Sequence, residues 1–172
     1  MDAQEKADLL ERLTSGRDAI VAVVAGVSGD ASKKAPGEGR WSMLDCMEHV
    51  AYVEEVLFSQ VVNSRLAAEP LLNPKREERI AKYGADRSRA IDAPERAQPT
   101  GRFATIEDAT AHFLASRAKT IQFVESCEED MRCRTAMHPL FGVVNCQEML
   151  LVIAVHPHRH KGQLEEIKAA VR

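Results

Sequence analysis

The chain has 172 residues and a mass of 19.0 kDa, a length that fits one domain spanning 1–172. With 45% hydrophobic and 28% charged residues, a net charge of −3 and a pI near 6.1, it reads as a soluble globular protein, without the net basic character of a nucleic-acid binder. Aromatic residues at 5% are too few for a base-stacking platform, no apolar run is long enough to span a membrane, and the acidic start MDAQEKADLLERL reads as a helix, not a signal peptide.

Helix dominates the pattern. Asp2 with Glu5 forms a capping box, and Leu9, Leu10, Leu13, Ile20, Val21 and Val24 follow at helical spacing, with Gly16 a possible bend. The stretch 26–39, rich in glycine, ends this first helix in a loop. A second helix starts at the N-cap Ser42, with Asp45 at the box position, and is predicted to reach about Leu66; Cys46, His49, Val53, Val56 and Gln60 form one stripe along it. Residues 67–103 hold four prolines and many charges. They predict irregular chain with a short helix from Pro74 to Tyr83, and the interleaved charges at 75–79 predict a solvated surface.

A third helix is predicted from Thr105 to about Glu128, with Ile106, Ala109, Phe113, Ile121 and Val124 on one face. A second irregular stretch through Cys133, Pro139 and Gly142 leads to the last helix, capped by Asn145 and Glu148 and reaching about Val171. No strand-type alternation is expected anywhere. The fold class is therefore all-α, a four-helix bundle. A helix of about 25 residues is roughly 37 Å long. The connection between the second and third helices is long enough to return the chain to its starting end, which favours an up-down-down-up order over simple up-and-down.

The last helix carries AVHPHRHKGQLEEI. His156 and His160 are one turn apart and share a face, the spacing with which two imidazoles hold one metal ion. Their stripe (Met149, Val152, Ile153, His156, His160, Gln163, Leu164, Ile167) is otherwise apolar and core-facing, and His158 points to the opposite side. His49 holds an equivalent position on the second helix. Three such imidazoles would leave coordination positions open, the pattern of a reactive metal site. His112 and His138 have no partner at ligand spacing, and Arg159 and Lys161 lie off the stripe, where solvent is expected. Pro157 withdraws the N–H that would bond the Ile153 carbonyl and predicts a kink near His156. The four cysteines (Cys46, Cys127, Cys133, Cys146) form no CxxC pair and are expected as free thiols in a reducing cytoplasm.

Trp41-Ser42 followed by Glu48-His49, together with His156, His160 and Gln163 in an HxxxHxxQ pattern, resembles the DinB superfamily of damage-inducible DinB/YfiT-like proteins over roughly residues 5–170. The resemblance implies a four-helix bundle of up-down-down-up order, often a homodimer, with a divalent metal (zinc, nickel or similar) on three histidines. Carried over residue by residue, the ligands are His49, His156 and His160. Relatives of known activity transfer or isomerise with a low-molecular-weight thiol as cofactor, and the expected enzyme activates such a thiol, or a water, on the metal for attack on a small-molecule electrophile, as a transferase or a hydrolase. Gln163 would then bind the cofactor or substrate or orient a ligand, and Cys46 would line the pocket. The competing expectation is a non-catalytic dimeric stress-response or binding protein with structural histidines. A ferritin-like di-iron bundle does not fit, since no histidine has a Glu three residues before it.

Overall fold

A computed structural model describes residues 1–88 and 91–171. In chain order they form α1 (Ala3–Val24), a one-turn α2 (Gly29–Ser32), α3 (Met43–Val62), β1 (Arg65–Leu66), α4 (Pro74–Tyr83), α5 (Ile106–Ser126), β2 (Arg134–His138), β3 (Gly142–Asn145) and α6 (Cys146–Ala170).

The long helices begin where the sequence supplies an acceptor for otherwise unpaired N–H groups. Complete capping boxes stand at Asp2/Glu5, Ser42/Asp45 and Asn145/Glu148, and Thr105 caps α5 through its hydroxyl. Contacts along the bundle give its directions. Lys6 near the start of α1 donates to the carbonyls of Glu125 and Cys127 at the end of α5, so these helices are antiparallel. Lys168 near the end of α6 donates to Val23 near the end of α1, so α1 and α6 are parallel. Glu54 meets Arg117 while Phe58 meets Phe123, so α3 and α5 are parallel. The order is up-down-down-up, with the long connection between α3 and α5 carrying the chain back along the bundle.

Two apolar layers make the core. One includes Leu9, Leu13, Leu57, Val61, Met149, Leu150 and Ile153; the other includes Ile20, Met47, Val50, Phe113, Leu164 and Ile167. Between them along the helices fall the polar residues Glu54, Arg117, His156 and His160. Gly16 does not interrupt α1. It faces α6, where a Cβ would come 3.2 Å from the Ala154 carbonyl and 3.5 Å from Pro157, so its smallness sets a close α1–α6 approach.

Four sequence expectations are corrected. A small antiparallel sheet of order β1-β2-β3 is present, pairing Leu66 with Arg134 and Met137 with Val143. Its strands have two, five and four residues, too short for alternation to register. The second helix stops at Val62, capped by Asn63, because residues 65–66 are drawn into that sheet. The loop after α1 contains the turn α2. The charges at 75–79 are not simply solvated: Arg76 makes a two-pronged bond to the fully buried Glu148 at 2.5 and 2.6 Å, and Glu77 pairs with Arg132 at 2.7 Å. These bonds fasten α4 to the start of α6. Replacing Glu148 by Ala removes both the cap partner and the Arg76 contact and is expected to cost about 2–3 kcal/mol, read as a lowered denaturant midpoint. No described helix is long and apolar enough to cross a membrane.

Candidate metal centre

Ser42 starts α3 so that His49 falls on its inner face, and α6 brings His156 and His160 to the same level from the antiparallel neighbour. The three residues each offer a ring nitrogen, and these atoms all lie within 4.8 Å of one another. His49 Nε2 and His156 Nε2 are 3.2 Å apart. Ring centroids are separated by 5.1 Å (49–156), 4.7 Å (49–160) and 4.4 Å (156–160). His49 and His160 are buried and His156 is partly so.

Two rings are held by their outer nitrogens. His49 Nδ1 lies 2.8 Å from the Ala97 carbonyl, which can only accept, so the proton sits on Nδ1 and the Nε2 lone pair faces inward. His160 Nδ1 lies 2.9 Å from Gln163 Oε1, the same arrangement with a side-chain acceptor. Trp41 packs its ring on His49 at 5.0 Å. Burial, first of all, pushes all three imidazoles below the ordinary histidine range; in His156 and His160 the neighbouring rings lower them further.

This donor set fits a divalent ion of the zinc or nickel type. Neutral imidazoles suit those ions, and carbonyl or amide acceptors on the outer nitrogens are the usual orienting bonds. The 3.2 Å between Nε2 atoms is close to the ~3.3 Å that separates two nitrogens each about 2.05 Å from a tetrahedral ion. Three protein ligands would leave at least one position open.

Gln163 is drawn into the site through His160, and Arg87 in turn reaches Gln163 at 3.4 Å and Glu166 at 2.8 Å. Cys46 Sγ lies 3.6 Å from His160 Nδ1, and burial raises its thiol above the ordinary value, so it lines the site as a neutral group. The remaining histidines lie elsewhere. His158 turns to α1 and meets Ser15 at 3.2 Å; His112 pairs with Glu55 at 2.9 Å; His138 is buried in the β2–β3 hairpin, accepting from the N–H groups of Leu140 and Phe141. Lys161 pairs with Glu165, whereas Arg159, expected in solvent, is half-buried and donates to the Asp86 carbonyl. Helix α6 continues on both sides of Pro157. Two contributors escaped the sequence reading: the Ala97 carbonyl, which carries no side-chain signal, and Arg117, discussed below.

These buried neutral rings make stability depend on pH. His138 is lowered to about 4 by burial, and His49, His156 and His160 are lowered in the same sense. An unfolded histidine takes up a proton below about 6.5 while the folded ones resist it, so the unfolded state binds more protons as pH falls. The contribution is complete above about pH 6.5 and is lost progressively toward about pH 4. Thermal midpoints of metal-free protein are expected to fall from about pH 7 to about pH 5, less steeply in His138→Asn; a flat profile would contradict this.

The profile of the DinB superfamily matches residues 12–164. The uncharacterized protein YuaE of Bacillus subtilis is 21% identical over 146 residues, covering 85% of this chain and 88% of its own. YfiT from Bacillus subtilis, described as a probable metal-dependent hydrolase with an unusual four-helix bundle topology, superimposes with a TM-score of 0.62 at 12% identity, covering 98% of this chain and 89% of its own. TT2238, a four-helix bundle protein, does so with a TM-score of 0.51 at 23% identity, covering 94% and 98%. The structural likenesses show a common fold, and the profile match spans most of the sequence, so the chain belongs to the DinB superfamily.

Proposed function

We propose that this chain is a metal-dependent enzyme in which His49, His156 and His160 hold a divalent ion and a small electrophilic substrate is attacked by water or by a low-molecular-weight thiol. The observation that carries the reading is the convergence of three imidazoles, two buried and one partly buried, from two antiparallel helices, two of them oriented through their outer nitrogens. The description of YfiT as a probable metal-dependent hydrolase supports the hydrolytic version. When bound, such an ion lowers the pKa of a water or thiol and polarises an oxygen of the substrate.

The chain's own residues have separate tasks. The Ala97 carbonyl and Gln163 hold two rings with their Nε2 lone pairs inward, so little reorganisation accompanies ligation. Trp41 packs against His49 and the buried Cys46 thiol against His160, and such low-polarity neighbours strengthen electrostatic interactions there. Gln163 is the residue placed to exchange its bond with His160 for one to a bound substrate. A homodimer is the assembly this reading expects.

Metal analysis of protein purified without an immobilised-metal column tests the site. Wild type is expected to carry about one ion per chain and His160→Ala almost none. Equal content in the two would refute the centre and leave a non-catalytic binding protein. Ester and thiol-acceptor substrates assayed with the loaded protein separate hydrolysis from thiol transfer.

A further inference from the structure

Pro157 lies inside α6 and has no N–H, so the carbonyl of Ile153, one turn earlier, loses the donor a regular helix would give it. That carbonyl is buried in the bundle, where an unpaired acceptor is costly. It is not left unpaired. Arg117 of α5, with a fully buried side chain, donates to it from Nη2 at 3.0 Å. The same guanidinium grips Glu54 of α3 with Nε and Nη2 at 2.8 and 2.7 Å and donates from Nη1 to the Leu13 carbonyl of α1 at 2.8 Å. Thr120 adds a bond to Glu54 at 3.0 Å. One side chain therefore ties all four helices at the level where α6 lacks its own bond, three residues before His156.

We propose that Arg117 is a positioning residue for His156: it replaces the helix bond that Pro157 removes and so fixes the turn of α6 that aims this ligand at His49 and His160. The proposal rests on the metal-centre reading above. A planar guanidinium suits the task because its five donors reach two carbonyls and a carboxylate at once. A lysine ammonium keeps the charge opposite Glu54 but has three donors on a single atom, too compact to span the same partners.

The test uses Arg117→Lys, Pro157→Ala and the double variant, with the full chain throughout. Cobalt(II) is the probe, read by titration and by its visible spectrum. Arg117→Lys is expected to fold, to bind cobalt about tenfold more weakly and to show an altered spectrum, the low end of the 10- to 100-fold range for residues behind a ligand. Pro157→Ala restores an N–H beneath the Ile153 carbonyl, so the double variant should regain most of the lost affinity. A merely structural role would lower the melting temperature of Arg117→Lys and leave affinity and spectrum unchanged; that result overturns the proposal. If wild type takes up no cobalt, the metal reading fails by itself, and ring-nitrogen NMR of metal-free protein decides the positioning role. Shifted His156 signals beside unchanged His49 signals in Arg117→Lys would support it, and unmoved His156 signals would end it.

Discussion

Replacing Arg117 by Ala is expected to cost about 3–5 kcal/mol, the range for breaking a buried ion pair from one side. At about 2–4 °C per kcal/mol for a chain of this size, the melting temperature should fall by roughly 6–20 °C. The loss has several sources in one substitution: Glu54 keeps a buried carboxylate with Thr120 alone to donate to it among the described residues, the Ile153 and Leu13 carbonyls each lose a donor, and a cavity opens between the apolar layers. Substituting Glu54→Leu and Arg117→Met together removes the stranded charge. That pair should recover about 2 kcal/mol of the loss, because hydrophobic replacement of a buried ion pair is often neutral or better. A residual deficit of about 1–3 kcal/mol should persist from the Ile153 carbonyl. Denaturant unfolding of wild type and the two variants measures it. A double variant as unstable as Arg117→Ala would show that the carbonyl contacts, not the ion pair, dominate.

Adding zinc to metal-free protein is expected to raise the melting temperature strongly, because an ion that binds only the folded chain stabilises it by mass action. At a free concentration a thousand times Kd the gain is about 4.1 kcal/mol, or roughly 8–16 °C for this chain length. His156→Ala should abolish the increment while still folding without metal, since it removes only a partly buried ring that its burial keeps neutral in the metal-free protein. The comparison is differential scanning of wild type and variant with zinc and with chelator. Equal zinc-induced shifts in the two would exclude His156 as a ligand. The wild-type increment should shrink as well once the pH falls below the ordinary histidine range to where the folded rings, lowered by burial, take up protons that compete for the same nitrogens.

Helix positions were largely legible because they follow from local chemistry. Asp2, Ser42, Thr105 and Asn145 are acceptors placed just before helical apolar patterns, and all four act as N-caps. The one-turn spacing of His156 and His160 on an apolar stripe needed no tertiary knowledge either, since a helix puts such residues on one face. What failed was non-local. The sheet of residues 65–66, 134–138 and 142–145 joins a short local hairpin to a two-residue strand about seventy positions away, and such short segments acquire strand character only from their partners. Arg76 reads as a surface charge until Glu148 is beside it.

The chain's own spacing and composition determined its helices, their caps and the His156/His160 pair, because each rests on interactions within a few residues. Tertiary structure alone decided that His49 arrives beside His156, that the Ala97 carbonyl turns its ring, and that Arg117 answers the carbonyl Pro157 leaves open. Those contacts join residues dozens of positions apart, and only the packing of antiparallel and parallel helices around a shared core fixes which side chains meet.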